Sequence, residues 1–400
     1  MRRSSTLPAQ RSPRSRSWRL LPTLFCLTLA AGASPAAEAP EGVGVFGHLT
    51  QAYGKSRRGS IQGTSEEGTT DLRNVAVQLR WAKSDRDTVV VQLSHERRGE
   101  DLFSPAGDEV EIDWAFYERR IGVHSVLKVG RLNTPLGIYN EIRDVGTLLP
   151  FFSLPISFYA GVLSSAETVD GVSIGRTFFP RSDWSLDTEL YLGGWDTFQQ
   201  QVSLDAKFGL VNLEARAEDG VGVQIWLDTP VRGLRLGAGT LTWLLDGPLG
   251  EPGTRDRWDT YHVSLDAVGE RWLVRAERRR WRFDQDFGAF LALPVSLRGK
   301  AQRDGYYLQV GVWLTPRIGL FGQIDHAGLK DNLDLLPGLE NLHEDLAASL
   351  NFRIRPDLLL RVEYHNATTR LPLGLPDLPM NVGSDAVDAR WMVGGLSVSF

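Results

Sequence analysis

Residues 345–365 read DLAASLNFRIRPDLLLRVEYH, and two alternating runs in this stretch decide the fold. In the first run, apolar side chains stand at every second position from Leu346 to Ile354, with polar or small ones between them. The second run, from Leu358 to Tyr364, repeats the pattern after the short link Arg355-Pro356. Successive side chains of a β-strand point to opposite faces, so the stretch predicts two antiparallel strands, each with an apolar and a polar face.

The same alternation continues after Gly42 and predicts about sixteen strands. They are expected to begin near Val43, Asp71, Thr88, Glu109, His124, Val169, Trp184, Gly220, Gly233, Trp258, Arg271, Gly305, Arg317, Asp345, Asp357 and Asp388. Residues 201–217 also alternate weakly, and we interpret them as a hairpin within a loop. No helical pattern of comparable strength is present, which indicates an all-β protein.

The connections between these strands alternate between long and short. Long links are predicted at 54–70, 98–108, 132–166, 196–219, 246–257, 284–304, 329–344 and 369–387. Long extracellular loops, short periplasmic turns and an even number of antiparallel strands are typical of a transmembrane barrel in the outer membrane. A soluble β-sandwich also alternates, but it has little reason to separate long from short links so regularly. A closed barrel also removes the exposed edges of so large a sheet.

The first 37 residues have the layout of a secretory signal peptide. Residues 1–19 carry six arginines and no acid, an apolar run extends from Leu20 to Ala31, and small residues follow. Cleavage is expected between about 33 and 37, which leaves 38–400 as the barrel. The apolar run is too short to span a bilayer as a helix, and a retained N-terminal anchor is the alternative. Cys26, the one cysteine, lies inside this run, so the mature chain has no disulfide or cysteine-based metal site.

The mature chain is acidic. Without the six leader arginines it carries 38 basic against 49 acidic residues, a net charge near −11. This balance argues against a nucleic-acid-binding protein. No sequence feature implies a cofactor.

The predicted link 132–166 is unusually long and apolar. Long loops in compact domains are usually functional or disordered, and the Phe, Leu, Ile and Tyr content of this one argues against disorder. It also carries a charged cluster, Glu141, Arg143 and Asp144. We expect the loop to fold into the barrel mouth and these charges to line the narrowest point, where fixed charges set ion preference. The alternative is that they pair with one another and only stabilise the loop.

Several features together resemble the Gram-negative porin superfamily. These are the leader, about sixteen strands, the long third loop with GRLNTPLGIYNEIRDV at 130–145, and a last strand ending at Phe400. The resemblance covers the mature chain as a pattern and implies an outer-membrane channel of a Gram-negative bacterium, an inward-folded third loop and a homotrimer. The last strand also resembles the C-terminal strand that the barrel-assembly machinery recognises.

The polar face of the alternation supplies candidate pore-lining groups. Charges on the lipid face are costly at mid-membrane, so charged residues at polar positions are expected to face the lumen. The candidates are Arg80, Glu111, Asp113, Arg119, Lys128, Arg353, Arg361 and Glu363. The arginine run from Arg275 to Arg282 alternates between both faces, and we interpret its upper part as meeting lipopolysaccharide phosphates.

These observations favour a passive channel for small hydrophilic solutes. The acidic mature chain indicates cation preference and the candidate lumen arginines indicate anion preference, so the sign stays open. A non-conducting adhesion or structural barrel is one alternative, since the loop could plug the lumen. An outer-membrane hydrolase is another. It is disfavoured because the seven histidines show no paired spacing and no G-x-S-x-G or H-E-x-x-H motif occurs.

Overall fold

The computed structural model describes residues 42–58, 61–99, 109–159, 167–179, 183–203, 210–246, 256–286, 298–333, 339–370 and 386–400. Within them lie sixteen strands that form one closed antiparallel barrel. The strands are β1 Gly42–Arg57, β2 Thr69–Ala82, β3 Asp87–Arg98, β4 Glu111–Ile121, β5 Ser125–Asn133, β6 Thr168–Phe178, β7 Ser185–Ser203, β8 Leu210–Asp228, β9 Leu234–Asp246, β10 Asp256–Val268, β11 Trp272–Asp286, β12 Arg298–Trp313, β13 Ile318–Asp331, β14 His343–Arg355, β15 Leu358–Thr369 and β16 Val387–Ser399. The prediction of an all-β barrel with sixteen strands is confirmed.

Each strand pairs with its neighbours in sequence, and β1 pairs with β16 to close the ring. At this seam Gln51 lies opposite Leu396. The backbones of Gly47 and Phe400 exchange two hydrogen bonds of 2.9 Å, so the C-terminal residue takes part in closure. Closure gives every strand two partners, which satisfies backbone groups that lipid cannot hydrogen-bond.

Two strands begin earlier than predicted. β8 begins at Leu210 rather than near Gly220, and β12 begins at Arg298 rather than near Gly305. β7 and β8 pair as far as Ser203 opposite Leu210, so the described parts of the weakly alternating stretch, 201–203 and 210–217, belong to two paired strands of the barrel itself. The predicted link 196–219 is too long, and its residues 204–209 lie outside the described residues.

The outer face is apolar over the turn-proximal part of each strand. Exposed rings stand on this face, including Trp81, Trp184 and Tyr364 at 48%, 48% and 43% exposure. Toward the long loops, outward positions become polar on β2, β3, β5, β6 and β11–β16. The polar residues there are Arg73, His95, Arg131, Asp170, Arg278, Asp304, His326, Glu344, Asn366 and Arg390. A closed antiparallel barrel with such a belt is a multi-pass transmembrane β-barrel of the outer-membrane type. None of the helices within the described residues combines the length and the apolar character needed to cross a bilayer.

A β-bulge changes which side chains of β4 face the lumen. Gln92 of β3 lies opposite Trp114, whereas the next residue, Leu93, lies opposite Ile112, so Asp113 is the extra residue. Beyond the bulge the alternation shifts by one position. Trp114 therefore points inward and is 8% exposed, whereas an uninterrupted alternation from Val110 and Ile112 would place it on the lipid-facing side.

The loop between β5 and β6 lies inside the barrel. It forms two short 3₁₀ helices, Asn140–Ile142 and Gly146–Leu148, and one helical turn, α1, Ile156–Tyr159. The predicted leader 1–37 and the last part of this loop, 160–166, lie outside the described residues.

Candidate pore constriction

An apolar cluster holds the two ends of the third loop together inside the barrel. Tyr139 and Tyr159 meet edge to face with ring centroids 5.6 Å apart, and Phe158 lies 4.6 Å from Tyr159. Tyr307 of β12 closes the cluster from the wall, 6.3 Å from each of these rings. Burying a side chain of this size contributes about 1.5–3 kcal/mol, so the loop is a packed element of the lumen.

Glu277 of β11 is the polar centre of the same region. Its carboxylate accepts hydrogen bonds from the Ile138 backbone N–H at 3.0 Å and the Tyr307 hydroxyl at 2.6 Å. It also accepts from the hydroxyls of Tyr159 and Ser264. The residue is 3% exposed, and a buried carboxylate is tolerated only when its oxygens are satisfied in this way.

The middle of the loop is fixed to the wall by two buried acids. Glu363 of β15 accepts from the Phe152 backbone N–H at 2.7 Å and from the Ser153 hydroxyl at 3.1 Å. Asp325 of β13 accepts from the Ser157 backbone N–H at 3.2 Å. These contacts satisfy donors of a loop that would otherwise lose its water on entering the barrel.

Buried donors of the wall satisfy loop carbonyls in return. Arg279 of β11 donates to the Phe158 carbonyl at 2.9 Å, and Arg303 of β12 donates to the Ile156 carbonyl at 2.9 Å. Asn351 of β14 donates to the Pro150 carbonyl at 3.2 Å. The loop is thus attached to five consecutive strands, from β11 to β15.

The loop also reaches the seam between β1 and β16. Arg361 of β15, which is 3% exposed, donates to the Gly146 carbonyl. Thr50 and Ser397 share a 2.9 Å hydrogen bond directly beneath Gly146. A Cβ at Gly146 would overlap the Thr50 hydroxyl oxygen and lie 2.5 Å from that of Ser397, so only glycine fits this approach.

Two of the three predicted constriction charges are engaged in fixing the loop. Asp144 accepts from Asn74 at 2.8 Å and from Gln92 at 3.1 Å, which joins the loop to β2 and β3. Arg143 forms a 2.6 Å ion pair with Glu167, and its side chain is 10% exposed.

Glu141 is different, because its side chain is exposed to the lumen. Within the described part of the chain it makes no hydrogen bond and no ion pair. It borders a cavity of about 310 Å³ between the loop and the opposite wall of the barrel. The wall side of this cavity includes Glu118, Lys128, Asp187, Glu189, Gln224, Trp226 and Arg235. The open space thus lies on the side of β4–β9, away from the strands that anchor the loop.

The wall around this cavity is charged and internally paired. Lys128 contacts Glu189 at 3.1 Å. Arg235 contacts Asp266 at 2.8 Å and lies over the Trp226 ring at 4.3 Å. Both cations of the wall therefore have an acidic partner.

Confinement affects the ionisable groups of the loop. Desolvation raises the pKa of the Glu141 carboxyl above its usual value, and Lys128 opposes this rise by favouring the ionised form. Burial raises the pKa of the Tyr139 phenol to about 12, so the phenol stays protonated and donates to Gln309.

Among the described residues, no group of three or more metal-ligating side chains is placed to hold an ion. By sequence, the chain matches no protein-family model and no curated protein.

Solved structures of similar fold cover almost the whole barrel. The outer membrane channel DcaP of Acinetobacter baumannii aligns with a TM-score of 0.61 and 10% identity, over 91% of this chain and 99% of that chain. OmpF of Salmonella typhi aligns with a TM-score of 0.60 and 11% identity, over 90% and 98%. An anion-selective porin from Comamonas acidovorans aligns with a TM-score of 0.55 and 10% identity, over 90% and 100%. This is the porin fold. At these identities the likeness concerns the fold alone, so the roles of individual residues rest on the geometry of this chain.

Within this porin-like barrel, four of the eight predicted lining residues occupy inward positions that the loop leaves uncovered: Arg80, Glu111, Lys128 and Arg353. Lys128 borders the cavity. Asp113, the bulge residue, lies beside Asp144 of the loop, and the Gln92 side chain donates to both carboxyl groups, at 2.9 Å and 3.1 Å. Arg353 stacks over the Trp313 ring at 3.9 Å, near the turn end. Arg361 and Glu363 also point inward, but the loop covers them and they serve as its anchors.

Arg119 requires a correction. It lies opposite Asp87 on the outer face, contacts that carboxylate at 3.4 Å and is 55% exposed at the turn end of the porin-like barrel. The expected lumen position was wrong because the bulge at Asp113 shifts the alternation of β4 by one residue.

Sequence reasoning missed Glu189, Arg235 and Glu277. Glu277 lies two residues from Arg275 and two from Arg279, the spacing of side chains on one face of a strand. An acid within this run of arginines could therefore have identified Glu277 from the sequence. Glu189 and Arg235 lie in β7 and β9, where the alternation is interrupted by glycines, and their proximity to Glu141 depends on the path of the loop.

Proposed function

We propose that this protein is a passive outer-membrane channel for small hydrophilic solutes, and that the third loop narrows its pore. One observation carries the proposal. The loop is fixed to β11–β16 and to β1–β3, while its exposed Glu141 borders an open cavity against the remaining wall. A sixteen-stranded barrel is too wide for its own side chains to fill, so water and solutes have a path where the loop leaves space.

We further propose that the channel prefers cations. The lumen-facing acids of the cavity are Glu118, Glu141, Asp187 and Glu189, against the cations Lys128 and Arg235. Arg176 also borders it, but its guanidinium turns to the Phe178 ring on the outer face. Because both cations are paired with acids, the unpaired Glu141 leaves an excess of negative charge beside the path.

The proposal is tested by planar-bilayer conductance of the refolded mature chain 38–400, with the reversal potential measured in a salt gradient. We expect discrete conductance steps and a reversal potential whose sign shows that cations cross more readily than anions. A variant lacking 140–159 is expected to conduct in larger steps. Because that deletion exposes buried anchors and the variant can fail to fold, Glu141→Arg provides a second test and is expected to move the reversal potential toward the anion side.

Two alternatives predict different results. The apolar packing around Tyr139, Phe158 and Tyr159 favours a loop that plugs the lumen. A folded protein that never conducts would establish a non-conducting structural barrel.

An outer-membrane hydrolase is the other alternative, and it needs a base beside a nucleophile. His365, the histidine best paired with acids, is 1% exposed and contacts the carboxylates of Asp345 and Glu363, so we propose no enzymatic role.

The remaining expectations from the sequence are also proposals. We propose that residues 1–37 are removed on export, that the strand ending at Phe400 is recognised by the barrel-assembly machinery, and that the mature chain forms a homotrimer. N-terminal sequencing of the membrane form tests the removal of residues 1–37. Deletion of Phe400 is expected to lower assembly into the membrane. The mass of the detergent-solubilised complex tests the homotrimer, and a monomeric mass would contradict it.

A further inference from the structure

A carboxyl group of the third loop lies against a carboxyl group of the barrel wall. Asp144 of the loop and Asp113 of β4 lie side by side, within reach of a direct hydrogen bond. The side-chain amide of Gln92 donates to both, at 3.1 Å and 2.9 Å. An ionised carboxylate is only an acceptor, so two carboxyl groups can hydrogen-bond to each other only when one of them carries a proton. The pair is therefore complete with one shared proton.

The bulge and the path of the loop bring these two acids together. Asp113 is the extra residue of the bulge, and its carboxyl group reaches Gln92, an inward side chain of β3 that is 1% exposed. Asp144 follows the first 3₁₀ helix of the loop, and Asn74 of β2 also donates to it, at 2.8 Å. The contact therefore joins the loop to three consecutive strands, β2 to β4.

The charges around the pair do not compensate two ionised carboxylates. Arg143, which precedes Asp144, is taken up by Glu167 at 2.6 Å, and Glu167 adds its own negative field at Asp113. Within the described part of the chain, neither Asp113 nor Asp144 has an ion pair with a lysine or an arginine. The other ionisable groups around the pair and its loop neighbours are His48 of β1, Glu96 and Arg98 of β3, which pair with each other at 2.8 Å, and Glu111 of β4.

We propose that Asp113 and Asp144 form a proton-dependent latch that sets how far the third loop stands from β4. This inference rests on the proposed channel function. With one shared proton the contact holds, and the loop closes the lumen against β2–β4. When that proton leaves, two like charges in contact repel each other and oppose the contact.

The latch lies beside the open path through the barrel. The wall of the cavity starts at Glu118, five residues along β4 from Asp113. The other anchors of the loop, such as Glu277 and Glu363, stand on the far wall and do not depend on the pair. Release of the latch therefore leaves the loop in the lumen and widens the gap between the loop and β4, so the conductance is expected to rise with pH.

The test measures the conductance step of the refolded mature protein in planar bilayers at pH 5 and at pH 9. EDTA is present so that divalent cations cannot bridge the two acids. We expect the unmodified protein to show a larger step at pH 9. In D113N, the new amide donates to the Asp144 carboxylate and takes the place of the shared proton. This variant is expected to keep, at pH 9, the small step that the unmodified protein shows at pH 5.

The matched control is E111Q, which neutralises another inward acid of β4 at a position that the loop leaves uncovered. It is expected to keep the pH dependence of the unmodified protein. A step that changes with pH as much in D113N as in the unmodified protein would overturn the proposal, because another group such as His48 would then be the cause. A step of the unmodified protein that does not change with pH would overturn it as well.

A second measurement separates the latch from the channel function. At pH 9, D113N is expected to unfold at a urea midpoint about 0.5 M above that of the unmodified protein, because the repulsion is absent from the variant. At pH 5 the two midpoints are expected to agree. Equal midpoints at both pH values would refute the latch. A pH-dependent difference in a protein that never conducts would support the latch and refute the channel.

Discussion

The backbone N–H of Ile138 in the third loop donates a 3.0 Å hydrogen bond to the carboxylate of Glu277 on β11. The loop leaves the wall at the end of β5, and β11 stands six strands away in a ring of sixteen. The loop therefore crosses the lumen before it meets its first buried anchor. Its position depends on polar groups of the far wall as much as on its own sequence.

Replacing Glu277 with Gln is expected to weaken this attachment. The amide keeps one acceptor but places donors beside the hydroxyls of Tyr159 and Tyr307, which now donate to the carboxylate. Leaving buried groups unsatisfied costs about 1–3 kcal/mol. We expect a lower urea midpoint for unfolding of the refolded barrel in detergent. In planar bilayers, we expect a broader distribution of conductance step sizes.

The control for this prediction is Glu141→Gln, because Glu141 borders the open cavity and makes no hydrogen bond or ion pair within the described residues. It is expected to keep the midpoint of the unmodified protein. Equal midpoints for the two variants would show that Glu277 does not anchor the loop.

The second prediction separates Lys128 from Arg119, two cations that occupy equivalent positions in the sequence pattern. Lys128 pairs with Glu189 beside the cavity, whereas Arg119 pairs with Asp87 on the outer face. Lys128→Gln frees a carboxylate, and a unit charge at about 8 Å in water changes local cation concentration roughly twofold. We expect Lys128→Gln to move the reversal potential further toward cations and Arg119→Gln to leave it unchanged. A shift of equal size in both variants would contradict the assignment of faces.

Periodicity predicted the barrel well because the membrane imposes it on every strand. Each outward position such as Leu350 or Val362 must be apolar, so the pattern repeats and strand number follows from counting. The bulge at Asp113 was not predictable, since one inserted residue leaves no compositional trace. It alone reversed the faces of Trp114 and Arg119.

The loop was predictable as an inserted element, but its contacts were not. Its apolar content indicated burial, and the charges at Glu141, Arg143 and Asp144 were found from sequence. Which of them is free depends on partners distant in the chain, such as Glu167 for Arg143 and Asn74 for Asp144. Long-range pairing of this kind has no local signature in one sequence.

The third prediction concerns pH. Desolvation raises the pKa of the Glu141 carboxyl, so this group loses its charge at a higher pH than an ordinary glutamate, whose pKa is near 4.5. As the pH falls, cation preference is expected to decline with a midpoint above that value. The measurement is the reversal potential between pH 3 and pH 8, taken as the difference between the unmodified protein and Glu141→Gln. This difference removes the titration of neighbouring acids, and a midpoint at or below 4.5 would refute the prediction.

The last prediction tests the contact between the loop and the seam of the barrel. In Gly146→Val, the new side chain collides with the hydroxyl groups of Thr50 and Ser397, which share a 2.9 Å hydrogen bond. Relieving such a clash costs about 1–3 kcal/mol, so the urea midpoint is expected to fall and the loop to lift from β1 and β16. Gly175→Val is the matched control, because its Cβ would meet no atom closer than 3.8 Å and valine suits a strand. Equal stability of the two variants would mean that the loop does not rest on the seam.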